Sequence, residues 1–358
     1  MLSILDKYII RKFLTTFFFM SGIILLFAMV FDISEKLSDF ISNKAPISGI
    51  LFDYYLNFML FYGNMFSSMI IFLSVIWFTA KLAQDTEIVP MWFSGKPITR
   101  FLRPYIIGAT VLMVISLVLN HFIIPSANKI RLGFEEKYYR DALLVEDYHA
   151  DYPGNQTVYF SNYSNSETQI NDFTLQRWND SNQPVYFLKA RSATNIPGTK
   201  KWHLKDFFEK KINFPKEEIH QGAIKDTFFV FSIDEMAQRE NLAETMTYTE
   251  LRALIAREKL KGSSMVPYYE IELHQRTSYP FAAYILTIIG VSVSSQKKRG
   301  GIGMNIAIGL FFVFIYIFAM KMMTVASLNV GFPSIVAVWV PNILFSIVAF
   351  FMYRFAQK

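Results

Sequence analysis

Residues 13–31 read Phe13-Leu14-Thr15-Thr16-Phe17-Phe18-Phe19-Met20-Ser21-Gly22-Ile23-Ile24-Leu25-Leu26-Phe27-Ala28-Met29-Val30-Phe31, without one Asp, Glu, Lys or Arg. A bilayer core of about 30 Å is crossed by roughly 20 apolar residues in a helix. This run is therefore a membrane span. It exceeds the roughly 7–15 residues of a signal-peptide core, and no small-x-small cleavage site follows it, so it reads as a retained anchor. Working outward, five further uncharged runs cover residues 54–80, 104–128, 277–296, 300–320 and 322–353. The last is broken by Asn329-Val330-Gly331-Phe332-Pro333, a tight turn between the fifth and sixth spans. The expected organisation is three spans in residues 1–128, a soluble insert in 129–270, and three spans in 271–358.

Composition agrees with that division. The chain is 53% hydrophobic and only 18% charged, against about 25% charged in soluble domains. Residues 126–270 carry 19 basic and 21 acidic residues, leaving 16 basic and 8 acidic for the apolar parts. The basic surplus thus belongs to the membrane regions, where it reports orientation, and nucleic-acid binding has no support. With no Cys in the chain, disulfides and thiolate metal sites are excluded.

Short loops set the orientation. One end of the bundle collects Lys7, Arg11, Lys12, Lys81, Lys96, Arg100, Arg103, the Lys297-Lys298-Arg299 run, Arg354 and Lys358. Only Asp6, Asp85 and Glu87 oppose them there. At the other end Lys36 and Lys44 are outnumbered by Asp32, Glu35, Asp39 and Asp53. The basic end is expected in the cytoplasm with both termini, and the insert faces outward.

Within the insert, a polar stretch from Ala127 to Asp147 is expected to prolong the third span. Strand-like runs follow at residues 157–160, 170–178, 185–188, 202–208 and 228–231. Turn residues such as Pro153-Gly154-Asn155 and Pro197-Gly198 separate them, which predicts an all-β sandwich or barrel. Thr247 with Glu250 predicts a capping box for a short helix through Lys259.

Sites for chemistry are scarce. No G-x-x-x-x-G-K-[ST] phosphate loop occurs, so ATP hydrolysis belongs to another chain. The five histidines (His121, His149, His203, His220, His274) are not paired at metal-ligand spacing. Ionisable residues inside membranes mark ion pathways, yet only Asp53, His121 and Lys321 approach the runs, each near an end, which argues against ion coupling. No cofactor is expected.

The loop between the second and third spans, residues 81–103, is different. Ile88, Met91 and Trp92 fall on one face of a short helix, and Gly95 is a natural stop. Such an apolar face on the basic side either docks a soluble partner or rests among lipid headgroups.

These features together resemble the LptF/LptG family of lipopolysaccharide-export permeases. The resemblance lies in Leu5-Asp6-Lys7-Tyr8-Ile9, Asp85-Thr86-Glu87-Ile88 with Ser94-Gly95, Tyr269-Glu270-Ile271-Glu272-Leu273-His274-Gln275-Arg276 with Pro280, and Trp339-Val340-Pro341-Asn342. It implies a membrane subunit of an ABC transporter in the bacterial inner membrane, with a jellyroll-like periplasmic β domain. Its implied partners are a cytoplasmic ATPase dimer, a second permease subunit of this type, periplasmic jellyroll bridge proteins and lipopolysaccharide. It further implies that Glu87, with Asp85, Ile88, Met91, Trp92 and Gly95 around it, engages the ATPase. The first and fifth spans become lateral gates, with Phe27, Phe31, Phe311 and Phe314 against acyl chains. Lys36 and Lys44 stand where lipid phosphates would pass, or, for Lys36, where a snorkelling anchor would sit. A polytopic enzyme acting on lipid-linked sugars would need clustered carboxylates or a metal set. A mechanotransmission protein would move no lipid through its own helices.

Overall fold

The computed structural model describes residues 3–88, 98–138, 144–152, 154–164, 169–179, 181, 183–195, 200–213, 216–229, 242–260, 263, 265–295 and 301–356. They form two compact units: residues 1–139, 244–251 and 267–358 make the helical one, and residues 140–243 and 252–266 the other. Six helices among the described residues are long and apolar enough to cross a membrane.

Helix α1 (Ile4–Ser42) opens on a capping box, with the Asp6 amide donating to Ser3 Oγ and the Ser3 amide to Asp6 Oδ2. It then runs 39 residues without a break. The second span was expected as one helix. It is instead a π-helical turn (Gly49–Tyr55), α2 (Leu56–Met65) and α3 (Ser67–Gln84), divided at Phe66. The third comprises α4 (Ile98–Val118), a π-helical segment (Leu119–Ile123) and α5 (Ile124–Tyr138). The expected extension to Asp147 is corrected: a strand has begun by Leu144.

The β unit is a six-stranded antiparallel sheet in consecutive order. Its strands are β1 (Leu144–Tyr152), β2 (Gln156–Ser164), β3 (Gln169–Trp178), β4 (Pro184–Asn195), β5 (Lys201–Asn213) and β6 (Lys216–Phe228). Inward residues alternate along each inner strand, and the register sets Val158 opposite Leu175 and Leu175 opposite Leu188. These pack with Phe160, Ile170, Phe173, Trp202 and Leu204 into one core. Asp172 and Asp206 each take left-handed backbone, φ 51°, which Asp tolerates better than most residues. The alternation changes phase between buried Ile170 and buried Phe173. Gly154 (φ 88°) and Asn155 (φ 51°) make the expected β1–β2 turn.

Two strands, β1 and β6, were not foreseen. β6 is exposed at every position except Lys225 and Thr227 and is rich in charge, so it lacks the apolar alternation that marks a strand. The strand expected at residues 228–231 is corrected to the last residue of β6: Phe229 lies beyond it, and 230–231 fall outside the described residues. The turn at Pro197-Gly198 also lies outside them.

After the short helix α6 (Leu242–Thr245), α7 (Tyr248–Leu260) begins as its capping box requires: Glu250 Oε2 accepts the Thr247 amide at 2.8 Å. The last three spans are α8 (Val266–Ser294), α9 (Gly301–Val330) and α10 (Ser334–Ala356). The break between α9 and α10 falls within residues 329–333, as read from the sequence.

Helices in lipid gain nothing from hiding apolar surface from other apolar surface. Close packing and polar contacts hold them together instead. The centre of the bundle is α8, whose apolar stretch is 72% buried. Its Ala282, Leu286 and Ile289 pack with Phe72 and Ile76 of α3, Val313 and Tyr316 of α9, and Phe345 of α10. A β-carbon on Gly290 of α8 would stand 3.0 Å from a Val75 methyl, so only hydrogen fits without displacement. Tyr316 donates to Asn342 Oδ1 at 2.7 Å, and Asn342 Nδ2 donates to the Ser278 carbonyl at 3.0 Å, tying α9, α10 and α8.

Candidate functional site

The loop after α3 is built by the way that helix ends. The Thr86 amide donates to the Ala83 carbonyl at 3.2 Å, and the Glu87 amide to the Leu82 carbonyl at 2.9 Å. Thr86 takes φ 59°. This is a Schellman-type ending with a β-branched residue where glycine is usual. The turn throws Ile88 inward, where it is 1% exposed among Phe13, Val75, Leu82 and Tyr105. Ile88 therefore anchors the loop rather than offering an outward apolar face. Asp85 is exposed and Glu87 half-exposed. Glu87 Oε2 accepts the Tyr8 hydroxyl of α1 at 3.1 Å, and Lys12 Nζ stands 5.0 Å from the Tyr8 ring centre. Met91, Trp92 and Gly95 lie outside the described residues. Where α4 begins, Arg100 makes two parallel bonds to the buried Asp6 carboxylate, at 2.9 and 2.7 Å. Sequence reading placed Arg100 only in a charge count; its pairing required the fold.

At the acidic end a second polar cluster joins α1 to the second and third spans. Asp32 forms an ion pair with Lys36 at 2.6 Å and accepts the Tyr54 and Tyr55 hydroxyls at 3.2 and 3.1 Å. Lys36 also donates to the Tyr54 hydroxyl and is only 8% exposed. The expectation of a lipid-facing or snorkelling Lys36 is thereby corrected: its ammonium is buried against Asp32 and the Tyr54 ring. Below it, Arg131 of α5 bonds Glu135 at 2.6 Å and lies over the Phe61 ring. Lys44 is exposed, just past the end of α1, at φ 51°. Phe27, Phe31, Phe311 and Phe314 are all largely exposed, at 59%, 73%, 62% and 70%. They stand on the outside of the unit, as residues facing acyl chains would.

A cavity of about 290 Å³ lies inside the helical unit, with an apolar floor of Leu286, Val313, Tyr316 and Met320. Its polar wall holds Asn64, Asn120, Asn128, Glu244, Glu272, Gln275, Arg276 and Lys321. Arg276 donates to Glu272 Oε1 at 3.1 Å and to the Met246 carbonyl at 2.7 Å. Asn64 donates to Asn120 Oδ1 at 2.7 Å and accepts from Ser116. Sequence reading set Lys321 at the end of a span and assigned Arg276 no role. The signal it passed over is Glu272, four residues before Arg276 at the mouth of α8.

The β unit has its own buried carboxylate, Glu209 on β5. Burial pushes its carboxyl up, but Lys225 at 2.5 Å and the Tyr186 hydroxyl at 2.8 Å outweigh that and hold it below the usual range. Tyr186 is raised, by burial first and then by this carboxylate. Among the described residues no group of three His, Asp or Glu side chains is placed to hold a metal ion.

No curated protein matches the chain. A family model, the lipopolysaccharide export system permease LptF/LptG, matches residues 7–354. Six apolar helices, a β insert and a match over nearly the whole length agree, and the chain belongs to the LptF/LptG family of lipopolysaccharide export permeases.

Proposed function

We propose that this permease is one membrane subunit of an ATP-driven exporter that takes lipopolysaccharide from the bacterial inner membrane. The family match carries the reading, and the absence of a phosphate loop supports ATP hydrolysis on a separate cytoplasmic dimer. The basic end lies in the cytoplasm by the positive-inside rule, with both termini, and the β unit lies in the periplasm. A second subunit of this type completes the lipid path between the first and fifth spans, and periplasmic bridge proteins receive the lipid.

The ATPase docks on residues 85–97. Asp85 and Glu87 offer carboxylates to a basic groove, and Met91 and Trp92 supply apolar contact near the Gly95 stop. Ile88 holds the loop from within. Lipid phosphates meet Lys44, which is exposed just past the end of α1. Phe27 and Phe31 of α1 and Phe311 and Phe314 of α9 line the acyl path.

Glu87→Arg tests the docking, because it sets like charges face to face. ATPase recovered with the permease falls about tenfold; unchanged recovery with unchanged export removes the assignment. A photocrosslinker at Phe31 captures lipopolysaccharide during turnover, and capture of bulk phospholipid alone removes α1 from the path.

A further inference from the structure

The N-terminal turn of α1 is fastened to both ends of the loop between α3 and α4. At the leading end Tyr8 bonds Glu87; at the trailing end Asp6 takes both arms of the Arg100 guanidinium. The second contact is the stronger. It is bidentate and charge-assisted, and the Asp6 side chain is almost wholly buried. Ser3 fixes the carboxylate from the other side through its amide at 2.8 Å, so the acceptor is held before Arg100 arrives. Loop and helix are thus bolted together twice, by residues far apart in sequence.

The helices leaving that loop differ in stiffness. The second span is divided at Phe66 and carries a π-helical turn, and the third carries a π-helical segment at Leu119–Ile123. Such interruptions are where helices bend. α1 has none along its 39 residues, about 58 Å at the usual rise. Only 11% of its apolar stretch is buried, against 72% for α8, because α1 packs along a single face through Ile9, Phe13 and Phe17. A push on the loop therefore reaches the far end of the bundle through α1 with the least loss.

We infer that Asp6 and Arg100 are a positioning pair that makes α1 move as one body with the loop. They carry the loop's displacement to Phe27, Phe31 and Asp32. The inference rests on the docking reading of that loop and adds the route by which force leaves it.

The test uses the full permease–ATPase complex in proteoliposomes, reading lipopolysaccharide released per ATP hydrolysed. Asp6→Asn and Arg100→Gln keep the ATPase bound and hydrolysing, while lipid released per ATP falls about tenfold. Because the chain has no Cys, the pair Asp6→Cys with Arg100→Cys can be bridged specifically by a short bis-maleimide. The unbridged pair shows the same loss, and bridging the same preparation restores yield to within about threefold of wild type. That recovery separates coupling from folding, since both states are one protein. Wild-type yield in the single variants, or no recovery on bridging, overturns the inference. Failure of docking is seen elsewhere, as ATPase that stays attached to Glu87→Arg.

Discussion

Helices α1 and α8 are both long apolar spans, and they are held in opposite ways. α8 is enclosed on several sides by α3, α9 and α10, packed through small residues and crossed by the Asn342 bonds. α1 packs along one face only, with Ile9, Phe13 and Phe17 against α3 and α4, and adds polar contacts, Asp6–Arg100 at its start and Asp32–Tyr54–Tyr55 further along. Lipid rewards neither arrangement hydrophobically. A helix enclosed on several sides is fixed along its length, whereas a helix packed along one face is freer to tilt when its polar contacts exchange.

The contrast can be broken by substitution. Asp32→Leu leaves the Lys36 ammonium buried without its carboxylate and costs about 3 kcal/mol, and adding Lys36→Met recovers most of it. Thermal midpoints of the single and double variants in micelles decide this; equal loss in both would mean that α1 is held by something else. Gly290→Leu forces a side chain against Val75 and Phe72 and costs about 2 kcal/mol. A wild-type midpoint there would show that α8 is not tightly enclosed. Asn342→Leu strands the Tyr316 hydroxyl and removes the tie from α10 to the Ser278 carbonyl, for about 1 kcal/mol. Smallest is Phe27→Ala, within about 0.5 kcal/mol on stability despite losing a whole ring. A larger loss would place Phe27 against protein rather than lipid.

Much of the helical part was legible because lipid imposes a single rule on every span. The runs at residues 277–296 and 300–320 and the break at 329–333 could be read directly, since charge and backbone breaks are costly in hydrocarbon. Even so, the division at Phe66 escaped. The sequence mark there is weak, Gly63 on one side and Ser67-Ser68 on the other, with no proline. β3 and β4 were legible through alternating apolar residues. β6 was not, because a strand with little buried face has no pattern to show, and β1 was missed although Tyr148, Ala150 and Tyr152 alternate toward the core. At the candidate sites, residue type singled out Glu87, which is half-exposed, and the phenylalanines of α1 and α9, which are exposed. It misplaced the Ile88 and Lys36 side chains, because burial depends on partners far away in sequence: Phe13 and Tyr105 for the first, Tyr54 for the second.

The sequence by itself determined that this chain enters a membrane six times, that a β domain interrupts it, and which end carries the positive charge. Each of these depends on composition summed over tens of residues, where lipid and water discriminate strongly. Only the tertiary structure decided that Asp6 meets Arg100, that Lys36 belongs to Asp32, and that α1 is stiff where its neighbours are interrupted. Those are pairings between single groups across 94 residues or one helical turn, and their free energies arise only once the fold has brought the groups within hydrogen-bond reach.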